Sequence, residues 1–412
     1  MSYGLTFGGI VILMLIILSG CSYGHKQYDP SASNGQPASD GLLVLEVTDY
    51  GRFWDRNAGN GLLKFLEKES ADKNFVLVTF IHGWHHNADV CDPNRSDFQK
   101  TVDELREKVN KAEYVESRKA LNLQGNVQVI GLYIGWRGLS LPLPLNYLTF
   151  WGRKAAAEQV GGGDFREFLL KLQNLYEKRN LPASDTFMGM VTIGHSFGGQ
   201  VALRTVAELL ERDLLDDRSK PDGIRGLGDL TVLLNPAVEA YQYERIHRVA
   251  QAYGEFTSKQ SPVLLTISAD NDFPRRRLFP AGRLVSRLFR ASLQTAQVEE
   301  WSQALGMYEP QQTHHFSVTT QANTINEDEV DCKSRDFSRV PVIGGVSMNP
   351  IQGRSTINYP FIVASTDSKD LIDGHNEIFL KPFKTFLTEY VSLSQGKRIC
   401  LRREAVTPPP KR

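Results

Sequence analysis

Residues 188–210 constrain the fold more than any other stretch of the chain. Met188-Gly189-Met190-Val191-Thr192 reads as a buried strand. Gln200 to Leu210 reads as a helix, because its apolar residues recur at i, i+3, i+4 and i+7. Between them lies Ile193-Gly194-His195-Ser196-Phe197-Gly198-Gly199. A strand that becomes a helix over so few residues places Ser196 at the apex in strained backbone geometry. Side chains larger than hydrogen two residues to either side would collide across the turn. The turn lifts the Ser hydroxyl out of the sheet, and the helix aims its first N–H groups at any anionic charge that develops there.

The rest of the chain alternates strand and helix. Strands are expected at Leu42–Val47, Phe75–Ile81, Val127–Ile134, Leu230–Leu234, Val263–Ile267 and Phe361–Ala364. Helices are expected at Asn60–Glu69, Asp97–Ala112, Lys154–Val160, Phe165–Arg179, Tyr243–Ala252 and Ile378–Val391. Continuous apolar strands of this kind belong to sheets buried on both faces. Their alternation with helices predicts an α/β fold with a mostly parallel central sheet. Sites in such sheets lie at the carboxyl ends of strands, here after Ile81, Ile134, Ile193, Ile267 and Ala364. The stretch from Asp272 to Pro360 is a long excursion before the last strand, with a helical region at about Leu284–Leu305. Leu139 to Trp151, rich in Leu, Pro and aromatics, reads as a surface segment covering a cleft.

Both ends carry information. Ile10 to Leu18 is an apolar run too short to span a bilayer, followed by Leu18-Ser19-Gly20-Cys21. An apolar segment before small residues reads as an export signal, and this one resembles the lipobox of bacterial lipoproteins. The resemblance implies a signal peptide over 1–20, lipidation of Cys21, and membrane attachment through that anchor. Ser22 after the cysteine implies the outer membrane of the bacterial cell envelope, facing the periplasm. Met1 to Gly9 lack the Lys or Arg that usually precede such a run, so an uncleaved anchor or a soluble signal peptide is the alternative. Residues 21–41 read as a flexible tether, 42–393 as the folded domain, and 394–412 as a C-terminal tail disordered at its proline-rich end. Cys91, Cys332 and Cys400 leave room for one disulfide and a free thiol. Formal net charge is zero and no basic stripe dominates, so no nucleic-acid partner is expected; Arg275-Arg276-Arg277 reads as a solvated loop.

The candidate chemistry centres on Ser196. A serine hydroxyl needs a base within hydrogen-bond reach. His375, in Asp373-Gly374-His375-Asn376, follows the last strand and is the candidate base. His314-His315 is the rival pair, without an evident strand–loop context. Asp270 and Asp272 both follow the strand ending at Ile267 and are the candidate acids; Asp367, Asp370 and Asp373 are more remote alternatives. The chain order strand–His-Gly, strand–Gly-His-Ser-Phe-Gly, strand–Asp, strand–Gly-His resembles that of the α/β-hydrolase superfamily. The resemblance covers Leu42 to Val391. It is closest to a bacterial branch with the blocks His82-Gly83-Trp84-His85-His86-Asn87-Ala88, Gly135-Trp136-Arg137-Gly138 and Phe150-Trp151-Gly152-Arg153-Lys154.

The resemblance implies an α/β-hydrolase fold with a long insertion before the last strand, and a Ser196–His375–Asp272 triad, with Asp270 as the alternative acid. Spacing to Phe279-Pro280 favours Asp272 in that family. It further implies an oxyanion hole from the Phe197 and Trp84 N–H groups, with His195 in a supporting role. The implied activity is a serine esterase or lipase-like hydrolase acting on a small-molecule or lipid-like ester, with no metal or organic cofactor. The alternative is a catalytically inactive hydrolase-fold lipoprotein serving as a binding or assembly module. His82, His85 and His86 lack the spacing of a zinc site and read as loop-shaping groups. Arg137 reads as an ion pair that pins its loop, or else as a substrate contact.

Overall fold

The computed structural model describes residues 27–29, 37–112, 115, 119, 125–138, 149–181, 184, 186–216, 223–257, 260–280, 295–320, 342–355 and 358–406. The segment expected to be a signal peptide, Cys21, most of the expected tether, residues 139–148, Cys332 and the last six residues lie outside them. Among the described residues, ten strands form one sheet: β1 (Leu43–Glu46), β2 (Asn74–Ile81), β3 (Val127–Gly135), β4 (Met188–His195), β5 (Leu230–Leu234), β6 (Leu264–Ala269), β7 (His314–Val318), β8 (Val342–Ile343), β9 (Val346–Pro350) and β10 (Phe361–Thr366). The order across the sheet is β1-β3-β2-β4-β5-β6-β10-β7-β9-β8. The first eight positions in that order pair in parallel; β9 and β8 add on antiparallel. This is an α/β fold with a mostly parallel central sheet.

The alternation of side chains along β2 divides the core. Phe75, Leu77 and Ile81 join one apolar cluster, and Val76, Val78 and Phe80 join the other. The first cluster is covered by helices α1 (Ala58–Glu69), α3 (Phe150–Gly162), α4 (Asp164–Arg179), α5 (Phe197–Asp216) and α6 (Tyr241–Tyr253). The second is covered by α2 (Pro93–Lys108) and the closing helix α8 (Lys381–Val406). A short helix, α7 (Thr295–Ser302), precedes β7. Phe80 stacks on Phe98 of α2 at 5.2 Å between ring centroids, and truncating it to Ala would cost about 3–5 kcal/mol. Helix α2 starts where the sequence provides a cap: the Asp92 carboxylate accepts from the Asn94 N–H, and Pro93 fills the first turn.

Register brings the strand ends to one edge. Ile81 lies opposite both Ile134 and Gly194, His195 opposite Leu234, Leu234 opposite Ile267, and Ala269 opposite Thr366. The loops after β2, β3, β4, β5, β6 and β10 therefore leave the sheet together.

Three expectations are corrected. His314 and His315 lie on β7 and pair with β10, so they do have a strand context. The long excursion contributes strands β7 to β9 as well as a helix. The closing helix, expected to end at Val391, runs on to Val406. Cys91 is a free, exposed thiol. Among the described residues, no helix is long and apolar enough to cross a membrane.

Candidate active site

The turn at Ser196 is as tight as its sequence demands. Ser196 has φ +54°, in the left-handed region, which costs a non-glycine residue on the order of 1–3 kcal/mol. Its neighbours hold it there. The Ser196 N–H donates to the Leu234 carbonyl at 3.0 Å, and its own carbonyl accepts from Gly199 and Ala237 N–H groups at 3.0 and 2.9 Å. A Cβ on Gly194 would stand 2.4 Å from the Gly198 carbonyl oxygen, and one on Gly198 would stand 2.0 Å from that of Ile81. Gly194 thus lets β4 fold back on the first turn of α5, and Gly198 lets that turn press against the end of β2.

Ser196, His375 and Asp272 meet at this edge. His375 Nε2 lies 2.8 Å from Ser196 Oγ, and His375 Nδ1 lies 2.7 Å from Asp272 Oδ2. Because the carboxylate can only accept, Nδ1 carries the proton and Nε2 is left to accept from the Ser hydroxyl. Asp272 follows β6 and is fully buried; Ser196 is almost fully buried. Asp270, the other candidate acid, uses its N–H on the Thr366 carbonyl, and burial raises its pKa. His315 contacts Asp367 and Ser365 rather than Ser196.

The loop carrying His375 is clamped from beneath. His375 occupies a tight turn in which the Asp373 N–H donates to the Glu377 carbonyl at 3.2 Å. Its own carbonyl accepts from His195 Nε2–H at 2.8 Å and from the Asn235 side-chain amide at 3.2 Å. Asn235 also donates to the Gly374 carbonyl at 2.9 Å and accepts from the Ala269 N–H at 2.9 Å. Asn271, one residue before Asp272, accepts from the Gly374 N–H at 2.9 Å. The β5, β6 and β10 loops are thereby tied into one unit. His195 takes the supporting position expected of it, and burial holds its pKa well below the usual histidine value.

One partner was read wrongly in the sequence. Arg275 is buried, not part of a solvated run. A single π-helical turn, Pro274–Leu278, turns it inward. Its Nε donates to Asp272 Oδ2 at 2.7 Å, its backbone N–H to Oδ1 at 3.1 Å, and its Nη1 to Ser268 Oγ at 3.0 Å. Burial alone would make Asp272 harder to ionise; the Arg275 charge and the His375 contacts overcome that and hold its carboxyl well below the usual range.

The loop after β2 packs directly on Ser196. A Cβ on Gly83 would stand 2.7 Å from Ser196 Cβ, so only glycine allows this approach. Trp84 follows it in the loop, and Phe197 opens α5 on the other side of the Ser. Their rings belong to one aromatic group: Trp84 meets Phe150 at 5.1 Å, and Phe150 meets Phe197 at 4.9 Å.

His82 holds the loop in place. Its Nε2 accepts from the Trp136 N–H at 3.0 Å, which puts the ring proton on Nδ1, where it donates to the Gly83 carbonyl at 2.9 Å. Burial lowers the pKa of His82 to about 4. His85, at φ +73°, donates its N–H to the Gly138 carbonyl; burial and the neighbouring histidines lower its pKa to about 4 as well. Arg137 pairs with Asp49, as does Arg153 at 2.8 Å, so Arg137 pins its loop. Lys154, on α3, reaches Gln200 of α5 at 2.8 Å and buried Glu239 at 3.0 Å. Among the described residues, no three His, Cys, Asp or Glu side chains converge as a metal-binding group.

No family model, curated protein or solved structure matches this chain. The site must therefore be judged on its geometry. A buried hydroxyl, an imidazole that accepts from it and a carboxylate that orients the imidazole form a chain able to activate oxygen for attack on an acyl carbonyl. The sequence signals for Asn235 and Arg275 were present but ambiguous: Asn-Pro marked only a strand end, and three successive arginines did not reveal which one turns inward.

Proposed function

We propose that this protein is an α/β-hydrolase acting by acyl transfer, and that its substrates are carboxylic esters. The observation that carries this reading is the unbroken pair of contacts, 2.8 Å from Ser196 Oγ to His375 Nε2 and 2.7 Å from His375 Nδ1 to Asp272, at a left-handed serine between β4 and α5. In the proposed reaction Ser196 Oγ attacks the acyl carbon while His375 takes its proton. The alkoxide that forms is met by the Phe197 and Trp84 N–H groups. His375 then gives the proton to the departing alcohol, leaving an acyl-serine. Water, deprotonated by His375, attacks that ester and restores the hydroxyl. The preference for esters over amides or thioesters rests on how often the fold hosts ester hydrolysis. The lipobox-like segment ending at Cys21 supports the further reading that the enzyme is tethered to the bacterial envelope through that cysteine.

A fluorophosphonate probe tests the reading, since it reacts with activated serines. Wild-type protein should label at one site, Ser196→Ala should not label, and a panel of p-nitrophenyl esters of graded chain length should be hydrolysed by the wild type alone. A folded wild type that neither labels nor hydrolyses would instead be a binding or assembly module.

A further inference from the structure

The segment between Cys21 and β1 is held against the domain at two places. Tyr28 and Asp29 donate their backbone N–H groups to the two carboxylate oxygens of Glu46, at 2.9 and 2.7 Å. Glu46 is the last residue of β1 and lies opposite Gly135 at the end of β3. The Asp29 carboxylate lies 2.9 Å from Arg95 Nη2, and Asp40 Oδ2 accepts from Arg95 Nε at 2.7 Å. Arg95 is fully buried at the start of α2 and also donates to the Ala88 carbonyl in the loop after β2. Tyr28 packs against the second apolar cluster. A buried guanidinium stripped of its carboxylates would be an uncompensated charge, so Asp29 and Asp40 belong to the fold.

The route of the chain decides where an anchor sits. β1 runs parallel to its neighbours, so a tether leaving freely from Leu42 would start at the amino end of the sheet, away from Ser196. The Glu46 contacts bring residues 28 and 29 back to the carboxyl edge, where the catalytic loops meet. β1 and β4 are three strand spacings apart in the sheet, about 14 Å. Gln27 is six residues from Cys21, a length of chain that reaches at most about 22 Å.

The same edge is apolar on its outside. Of the eight exposed large apolar residues, five, Tyr50, Trp54, Val90, Tyr241 and Phe273, stand in or directly after the loops that follow β1, β2, β5 and β6. Tyr and Trp suit a lipid–water boundary, with an apolar body and a polar end. We propose that the docked tether holds the carboxyl edge of the sheet against the bilayer, and that Ser196 acts on esters presented at the lipid surface. This rests on reading Cys21 as the lipid anchor and Ser196 as the nucleophile.

The test uses full-length lipidated protein in phosphatidylcholine vesicles. It compares p-nitrophenyl palmitate dissolved in the vesicles with p-nitrophenyl butyrate in the surrounding water. Asp29→Lys sets a cation against Arg95 and frees the chain as far as Ala38, whose N–H donates to the Leu42 carbonyl. The free leash from Cys21 then grows from six residues to seventeen. Effective concentration falls roughly as the −3/2 power of that length, so kcat/KM on the vesicle ester should drop about fivefold. Butyrate hydrolysis should stay at the wild-type value. Inserting an equal length of Gly/Ser chain after Gly24 should have the same effect with the clamp intact, and it carries the test if Asp29→Lys fails to fold. Unchanged vesicle-ester activity in folded Asp29→Lys, or an equal loss on both esters, overturns the proposal and leaves anchor and triad standing. A wild type that does not sediment with the vesicles overturns the anchor reading, and one that resists fluorophosphonate overturns the hydrolase reading; the proposal falls with either.

Discussion

In each of two histidine–aspartate pairs, a buried carboxylate accepts from an imidazole Nδ1: Asp272 from His375 at 2.7 Å, and Asp92 from His86 at 3.0 Å. The pairs differ in what surrounds them. Beyond His375 Nε2 stands the hydroxyl of Ser196, held at the apex of a strained turn. His86 faces a cleft with no hydroxyl nucleophile among its lining residues. Asp272 is backed by the full charge of buried Arg275, whereas Asp92 is backed by two backbone N–H groups at a helix start. The same two side chains thus occur in two settings, one with a hydroxyl within reach of the imidazole and one with none among the cleft's lining residues.

One substitution made in both pairs breaks that symmetry most strongly. Asp272→Asn should lower kcat for a p-nitrophenyl ester by about 10⁴-fold, because an amide lets the imidazole settle in the wrong tautomer. Asp92→Asn should leave kcat near the wild-type value, since Asn caps a helix about as well as Asp. Asp270→Asn, in the carboxylate that does not reach His375, should also stay near wild type. Comparable losses in all three would show that Asp272 has no special role.

Arg275 separates the pairs next. Arg275→Met removes the charge that shares Asp272 Oδ2 with His375, leaving a buried carboxylate short of one partner. Breaking a buried pair in this way costs about 3–5 kcal/mol, to be read as a lowered urea midpoint. His86 has no counterpart to lose.

The contrast extends to acid. The native pKa of Asp272 lies below its unfolded value of about 3.9. The folded state therefore binds this proton less readily than the unfolded one, and the stabilisation is complete above the unfolded pKa. It is lost as pH falls from there through the native value. The Tm advantage of wild type over Asp272→Asn should be full at pH 7 and shrink below about pH 4. An advantage that grew on acidification would contradict the sign.

What the sequence revealed divides along the same line. Ser196, His375 and the pair Asp270 and Asp272 stood out because each follows a strand whose apolar run marks its end, and because glycines flank the serine on both sides; position after the strand did not choose between the two acids, and only the family resemblance favoured Asp272. The seven apolar strands and the parallel sheet were legible for the same reason: burial on both faces leaves a continuous hydrophobic signature. Strands β7 and β9 left none, being short, half-exposed and polar, as in His314-His315-Phe316-Ser317-Val318. Arg275 was hidden by its neighbours, because composition cannot tell which of three adjacent arginines a helical turn buries. The Lys154–Glu239 contact was hidden by distance, joining residues that no local pattern relates.

The smallest expected effect concerns how the two histidine loops are held. The His86 carbonyl accepts from the Gly138 backbone N–H at 3.0 Å, a contact that most substitutions leave in place. The His375 carbonyl relies on side chains, His195 and Asn235. Asn235 itself has φ +43°, so replacing it with Ala would mix backbone strain with the loss of its amide. Asn235→Gly keeps the backbone conformation accessible and deletes only the side-chain amide, that is, the donors to Gly374 and His375 and the oxygen that accepts from the Ala269 N–H. With two carbonyls short of a partner, the turn at residues 373–377 should spend less time with Nε2 on Ser196. We expect kcat/KM to fall about tenfold, the equivalent of one hydrogen bond of about 1.4 kcal/mol. An unchanged kcat/KM would show that the His195 contact alone holds the His375 turn in place.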